Sequence, residues 1–359
     1  MGWSLRIGRI AGTEVKVHVT FFLLVGFYAL QGYREGGAAA AVVTTLFLLA
    51  LFGCVLLHEF GHILMARRFG VRTPDVILLP IGGVARLERM PDEPKQELLI
   101  ALAGPAVTLT IAVAIYAALA VTGKPPTLAE AIRTDAPFAA QMMGINVMLL
   151  LFNLIPAFPM DGGRVLRALL AHRLGLLRAT RLAAGIGQTL AVGLGLLGLF
   201  GNPILLLIAL FVFMGAASEA AMVETRAAAR GIKVEQAMVT HYRVLPVHAR
   251  LDSAVQMLLD GEQREFPVVD NLGRVEGILT RENLIKGLST KGPDSTVGEV
   301  MTSPVPVIPA GTEFELALDQ LRDSGLPALP VAGPEGKLAG LLTRDNIADL
   351  ILVRRAIAR

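Results

Sequence analysis

The chain has 359 residues, 53% of them apolar, and a mean hydropathy of +0.59. So apolar a composition excludes an ordinary soluble protein of this length and points to a membrane class. The net charge is only +3, and the 33 Lys and Arg cluster between apolar stretches, which argues against a nucleic-acid partner; a single cysteine, Cys54, excludes any disulfide within the chain.

Taken in chain order, uncharged or nearly uncharged stretches run over residues 17–33, 38–57, 98–121, 137–160, 182–200 and 203–218, the last extendable through Glu219 to Met222. Each is read as a spanning helix, and the first as a retained span, not a removed signal peptide. Six spans put both termini on one side. Loops on that side hold Arg6, Arg9, Lys16, Arg67, Arg68, Arg72, Arg86, Arg89, Lys95, Arg164, Arg167, Arg173, Arg178, Arg181, Arg226 and Arg230. The opposite loops hold only Arg34, Lys124 and Arg133. The excess predicts a multi-pass plasma-membrane protein with both termini cytoplasmic. Between spans two and three, residues 76–88 carry Pro80 and the pair Gly82-Gly83 and read as a membrane-associated β-hairpin. Its edge would either accept an extended peptide as an added strand or simply pack.

The second span runs on into His58-Glu59-Phe60-Gly61-His62. Charged and polar groups at the end of such a helix are costly in hydrocarbon and need a partner. On a helix, positions i and i+4 share a face, so both imidazoles can reach one Zn²⁺, and the intervening Glu59 can serve as base on an activated water. A catalytic zinc needs a third protein ligand and an open position. Asp161, at the end of span four in Asn153-Leu154-Ile155-Pro156-Ala157-Phe158-Pro159-Met160-Asp161-Gly162-Gly163, is the candidate. The competing reading makes Asp161 the N-cap of the amphipathic stretch 164–174. Cys54 shares the face of His58, and His18 begins span one; these read as a packing residue and an interfacial histidine.

His-Glu-Phe-Gly-His on one span and Asn-x-x-Pro-x-x-Pro-x-Asp-Gly-Gly on a later one resemble the site-2 protease family of intramembrane zinc metalloproteases. The resemblance covers about residues 1–225. It implies one Zn²⁺ per chain held by His58, His62 and Asp161, Glu59 as catalytic base, and Asn153 as a hydrogen-bonding group for substrate. It implies a membrane-spanning or membrane-associated protein substrate. Gly104-Pro105 is similar to a family element in which an asparagine follows three residues on; here that position is Thr108.

Beyond Met222 the chain turns polar and repeats itself at an offset of 63 residues, Thr280 to Thr343. Val234-Glu235-Gln236-Ala237-Met238 matches Val297-Gly298-Glu299-Val300-Met301, and Gly277-Ile278-Leu279-Thr280-Arg281-Glu282-Asn283 matches Gly340-Leu341-Leu342-Thr343-Arg344-Asp345-Asn346. This resembles a soluble α/β tandem pair of cystathionine-β-synthase (CBS) domains. The organisation expected is a six-span protease domain over 1–225, a linker over 226–233, and CBS domains over 234–291 and 292–359. The resemblance implies a regulatory module that binds an adenine nucleotide through Thr280, Asn283, Thr343 and Asn346, and a homodimer formed through the pair. The family pattern has aspartates where this chain has Asn283 and Asn346, so a docking or dimerisation platform without ligand stands beside nucleotide binding. The reading is a polytopic α-helical membrane protease performing regulated intramembrane proteolysis. The alternative is a CBS-regulated ion transporter or channel, which would distribute ionisable residues along a pathway.

Overall fold

The computed structural model describes residues 3–86, 93–121, 123, 125–133, 135–229 and 231–357. Leu87, Glu88, Arg89, Lys124 and Arg230, which the sequence reading used, lie outside the described residues. The chain divides into two compact units, Met1–Val223 and Glu224–Arg359.

The first unit opens with strands β1 (Ser4–Ile10) and β2 (Thr13–His18). In β2, Thr13, Val15 and Val17 are buried and alternate with less buried neighbours, so this segment is strand and not the beginning of the first span. Helix α1 (Val19–Arg68) follows, with His18 as N-cap accepting from Thr20 N. Two glycines break α1: Gly36 leaves helical geometry and Gly37 adopts φ 71°, a left-handed conformation that favours glycine. The chain folds back there. Gly32 comes against the backbone of Ala40 and Ala41, and the rings of Phe21 and Phe52 meet edge to face at 4.7 Å. The two apolar stretches at 17–33 and 38–57 are thus arms of one helical hairpin, and the second arm continues through the His motif.

Strands β3 (Asp75–Leu79) and β4 (Gly82–Arg86) form an antiparallel pair. They join the first two strands in the order β1-β2-β3-β4, with β2 and β3 parallel. The sheet lays Val15, Val17, Val76 and Leu78 on α1, against Phe21, Phe52, Phe60 and Ile63.

Helices α2 (Pro94–Val121), α3 (Leu128–Ala131), α4 (Phe138–Asn153), α5 (Asp161–Leu174), α6 (Leu176–Phe200) and α7 (Pro203–Ala229) complete the unit. By length and apolarity α1, α2, α6 and α7 can each cross a membrane, and α4 is a shorter apolar helix. Helix α4 stops at Asn153, well before the expected end at residue 160. Pro156 lacks an amide hydrogen and disfavours helix in the residue before it, so residues 154–160 run as turns.

The second unit contains two similar halves. The first has β5 (Leu245–Pro246), α8 (Leu251–Leu259), β6 (Glu265–Val269), β7 (Val275–Thr280) and α9 (Arg281–Lys291). The second has β8 (Ile308–Pro309), α10 (Phe314–Ser324), β9 (Ala328–Ala332), β10 (Leu338–Thr343) and α11 (Arg344–Ile357). Each half builds a three-stranded sheet with one parallel and one antiparallel pair. The segment leading into each half serves the other. Val239 pairs with Leu341, and its repeat equivalent Thr302 pairs with Ile278. Accordingly Ile232, Val234 and Ala237 sit in the core of the second half with Phe314 and Leu329, while Val297 sits in the core of the first with Phe266 and Leu279.

Candidate metal centre

His58 and His62 lie a helical turn apart on one face of α1, both buried, with ring centroids 4.8 Å apart. Asp161 enters from the first turn of α5. The N-cap of α5 is Met160, so Asp161 is not itself the cap; its carboxylate is turned to the imidazoles. The geometry is a nearly equilateral triangle. Asp161 Oδ2 lies 3.1 Å from His58 Nε2 and 3.1 Å from His62 Nε2, and the two Nε2 atoms are 3.1 Å apart. Tetrahedral zinc with bonds of about 2.0–2.1 Å keeps its ligand atoms roughly 3.3 Å apart, so the triangle fits that ion.

The outer ring nitrogens have partners that suit this arrangement. His62 Nδ1 donates to the carbonyl of Ile100 at 2.7 Å. His58 Nδ1 faces the hydroxyl of Thr108 at 2.8 Å, and that hydroxyl is 3.4 Å from its own acceptor, Gly104 O. With a proton on each Nδ1, both Nε2 lone pairs point at one spot together with a carboxylate oxygen. Three buried acceptors converging without a donor call for a cation, and two nitrogens and one oxygen leave a fourth position open for water.

Local sequence explains the close approach. A Cβ on Gly104 would stand 2.7 Å from His58 Nε2 and closer still to His62 Nε2, so only glycine lets α2 pass behind the imidazoles. A Cβ on Gly163 would stand 2.6 Å from the Ala157 carbonyl carbon, and one on Gly162 would overlap the backbone of Leu154 and Ile155, so the glycine pair lets α5 start against its own preceding turns.

Glu59 is half-buried beside the two histidines. A Cβ built on Gly83 would fall 2.6 Å from Glu59 Cγ and 3.2 Å from Glu59 Oε1, which sets β4 directly against the glutamate. In the sheet order β4 is a terminal strand, and among the described residues it is hydrogen-bonded to β3 alone. Asn153 ends α4, half-buried. Cys54 is half-buried and is not part of the converging set.

In the second unit Thr280 and Thr343 cap α9 and α11, their hydroxyls accepting from Asn283 N and Asn346 N at 3.1 Å. Asn283 Nδ2 donates to Thr302 Oγ1 at 2.9 Å, and Asn346 Nδ2 to the Ala237 carbonyl. The repeat therefore brings each Thr and Asn of the motif together at one strand-to-helix junction.

Sequence reasoning left Thr108 open and missed the Ile100 carbonyl, the approach of Gly83 to Glu59, and a buried ion cluster of Arg167 with Glu97 and Glu219. The signal for the last was present: isolated acidic residues at the ends of two apolar stretches need a cation nearby.

Residues 46–143 and 128–194 match peptidase family M50, and residues 234–290 and 297–353 match the CBS domain. A zinc metalloprotease of Methanocaldococcus jannaschii is 34% identical to this chain over 97% of its residues and 96% of the relative. The chain belongs to peptidase family M50. Another relative of this M50 protein, Rip3 of Mycobacterium tuberculosis, is 30% identical and covers 98% of this chain and 94% of its own. The solved site-2 protease from Methanocaldococcus jannaschii is 37% identical, with a TM-score of 0.45, and covers 61% of this chain and 95% of that one. The M50 protein is a zinc metalloprotease carrying CBS domains, with several apolar helices of membrane-spanning length. The transporter alternative is not favoured. The relatives just described match this chain over nearly its whole length, and the buried His58, His62 and Asp161 converge on one point instead of marking a path.

Proposed function

We propose that His58, His62 and Asp161 hold the zinc, that Glu59 is the catalytic base, and that Asn153 holds the substrate strand beside them. The observation that carries this is the 3.1 Å triangle of two Nε2 atoms and one carboxylate oxygen, with both Nδ1 atoms tied to α2. Zinc, when bound, supplies Lewis acidity that acidifies water and polarises a peptide carbonyl. Glu59 takes the proton from the attacking water at a carboxylate oxygen and passes it to the leaving amine. Asn153 offers its side-chain amide to the substrate backbone. The outer edge of β4, with Gly83 against Glu59, offers main-chain partners to an extended segment and delivers it to the base.

The substrate is a membrane-spanning or membrane-associated protein. A helix conceals its carbonyls in i→i−4 bonds, so the substrate must unwind locally before attack. A largely apolar groove of about 940 Å³ supports this reading. It runs between both arms of α1, α4 and the β3–β4 turn, lined by Tyr28, Phe47, Phe52, Ile81, Phe138 and Met148 among others, and Gly82, the neighbour of Gly83, is part of its wall. We read residues 1–225 as a six-span domain, counting both arms of α1 and the short α4, with both termini and the CBS pair on the cytoplasmic side where Lys and Arg are in excess. Residues 226–233 link it to CBS domains at 234–291 and 292–359, which regulate the protease and carry the homodimer contact. In those domains the Oδ1 atoms of Asn283 and Asn346 suit the hydroxyls of a ribose, with less strength than a charged aspartate. The use of both Asn amides inside the fold favours, as a second reading, a docking platform without nucleotide. Titration of the full chain with AMP, with Thr280→Ala as control, separates the two.

Replacing Glu59 by Gln tests the main reading. Cleavage of a reconstituted membrane substrate should be abolished while one zinc per chain stays bound. Undiminished cleavage would falsify the assignment.

A further inference from the structure

Arg167 lies less than two turns beyond Asp161 on α5 and is 1% exposed. Its Nε donates to Glu97 Oε1 at 2.7 Å, its Nη2 donates to the same oxygen, and its Nη1 donates to Glu219 Oε1. The ring of Phe158 lies beneath the guanidinium at 5.1 Å. One cation thus joins α2, α5, α7 and the turn before Asp161. Each of these contacts is a short step from the metal centre. Glu97 is one turn before Ile100, whose carbonyl accepts from His62. Asp161 and Arg167 share a helix.

Helix α7 contributes more than the carboxylate. Val212, Gly215, Ala216 and Glu219 have the spacing of a single helix face. Val212 packs with Ala157 and Met160, and Ala216 packs with Phe158. A Cβ on Gly215 would stand 2.6 Å from Pro159 Cδ. That face of α7 is the back wall of the turn that ends in Asp161.

A buried ion cluster is a poor device for stability alone, because desolvation offsets most of the attraction and apolar side chains of like volume do as well. What a planar guanidinium adds is direction: it holds two carboxylates at set angles, which a point charge cannot do. We infer that Arg167 is a positioning residue for the metal centre, keeping Asp161 in register with the Ile100 turn, and that Glu219 is the point through which α7 sets this register. The inference rests on the zinc assignment above.

The test uses the full chain in lipid nanodiscs and four variants that leave the proposed ligands intact, Glu219→Gln, Arg167→Lys, Arg167→Met and Gly215→Ala, with Asp161→Asn as the ligand control. Zinc affinity is read by chelator competition, ligand geometry by the visible spectrum of the Co²⁺-substituted protein, and turnover as kcat and KM separately. Glu219→Gln is expected to weaken zinc binding about 10-fold, shift the cobalt bands and lower kcat with little change in KM, as loss of a partner behind a ligand does. Gly215→Ala, which moves the same turn by bulk and not charge, should shift the bands in the same way. Arg167→Lys should fall between wild type and Arg167→Met. Variants that melt earlier yet keep wild-type zinc affinity and spectrum would show the cluster to be merely structural and overturn the inference. Failure of the wild type to bind zinc, or undiminished zinc binding by Asp161→Asn, would overturn the zinc assignment itself.

Discussion

The Nδ1 of His58 lies 2.8 Å from the hydroxyl of Thr108, across the contact between α1 and α2. The hydroxyl can accept from Nδ1, and with the proton there the Nε2 lone pair is free to face Asp161. The threonine that stands where the related element has an asparagine thus holds the imidazole of His58 from one turn beyond Gly104.

Thr108→Val keeps the shape of the side chain and removes the acceptor. His58 can then rotate or protonate at Nε2. Zinc affinity, measured by chelator competition, should fall about 10- to 100-fold, while Thr108→Ser should stay near wild type.

Gly104→Ala inserts a methyl group where the imidazoles stand, 2.7 Å from His58 Nε2. The helices cannot part without drawing Ile100 O, on the same helix α2, away from His62 Nδ1 as well. Zinc content of the purified protein should drop to near zero, with the apolar helices still folded by circular dichroism.

Gly83→Ala acts on Glu59, the proposed base, and not on the proposed ligands. The added carbon meets Glu59 Cγ at 2.6 Å, so either the carboxylate swings or β4 moves off. Turnover should fall at least about tenfold, in line with a misplaced proton-transfer group, while zinc content stays at the wild-type level. Equal loss of both would mean the strand supports the ligands as well.

Glu265 gives the CBS pair a pH-dependent term. Burial pushes its carboxyl above the usual glutamate range and repulsion from Asp345 adds to this, opposed by Arg264. A carboxyl raised in the fold costs stability at pH values above its folded pKa. The cost fades as pH falls through that value and is gone below the ordinary 4.5, where the unfolded chain is protonated too. Glu265→Gln should therefore raise the melting temperature of the CBS transition at pH 7 and have no effect near pH 4, by calorimetry of the full chain.

The grouping of His58, His62 and Asp161 was legible in the sequence because its parts are local. Two histidines at i and i+4 share a face whatever surrounds them, and Asp161 stood out as a lone carboxylate between two prolines and two glycines. The partners behind them were not legible. Ile100 acts through its carbonyl, which every residue has, and Thr108 matters only because α2 crosses α1 at Gly104. The strands at the start were hidden for a related reason. Val15, Val17 and Val19 run without a break into an apolar helix, and β2 pairs in parallel with β3 some sixty residues away, a contact no local pattern announces. The end of α4 was misplaced by the apolar residues that continue past Asn153, although Pro156 carried the stop signal. The 63-residue repeat was read directly, since duplication needs no folding rule. That each half finishes the other's sheet was not.

That exchange ties the fate of the two halves. Ile232 and Val234 plug a hole that only Phe314 and its neighbours define, and Val297 does the same for Phe266. Neither half owns a complete interior, so excising one would leave its sibling with an open, wettable cavity. The tandem must therefore assemble and come apart as a single cooperative body, and a ligand or strain felt by either half is registered by both.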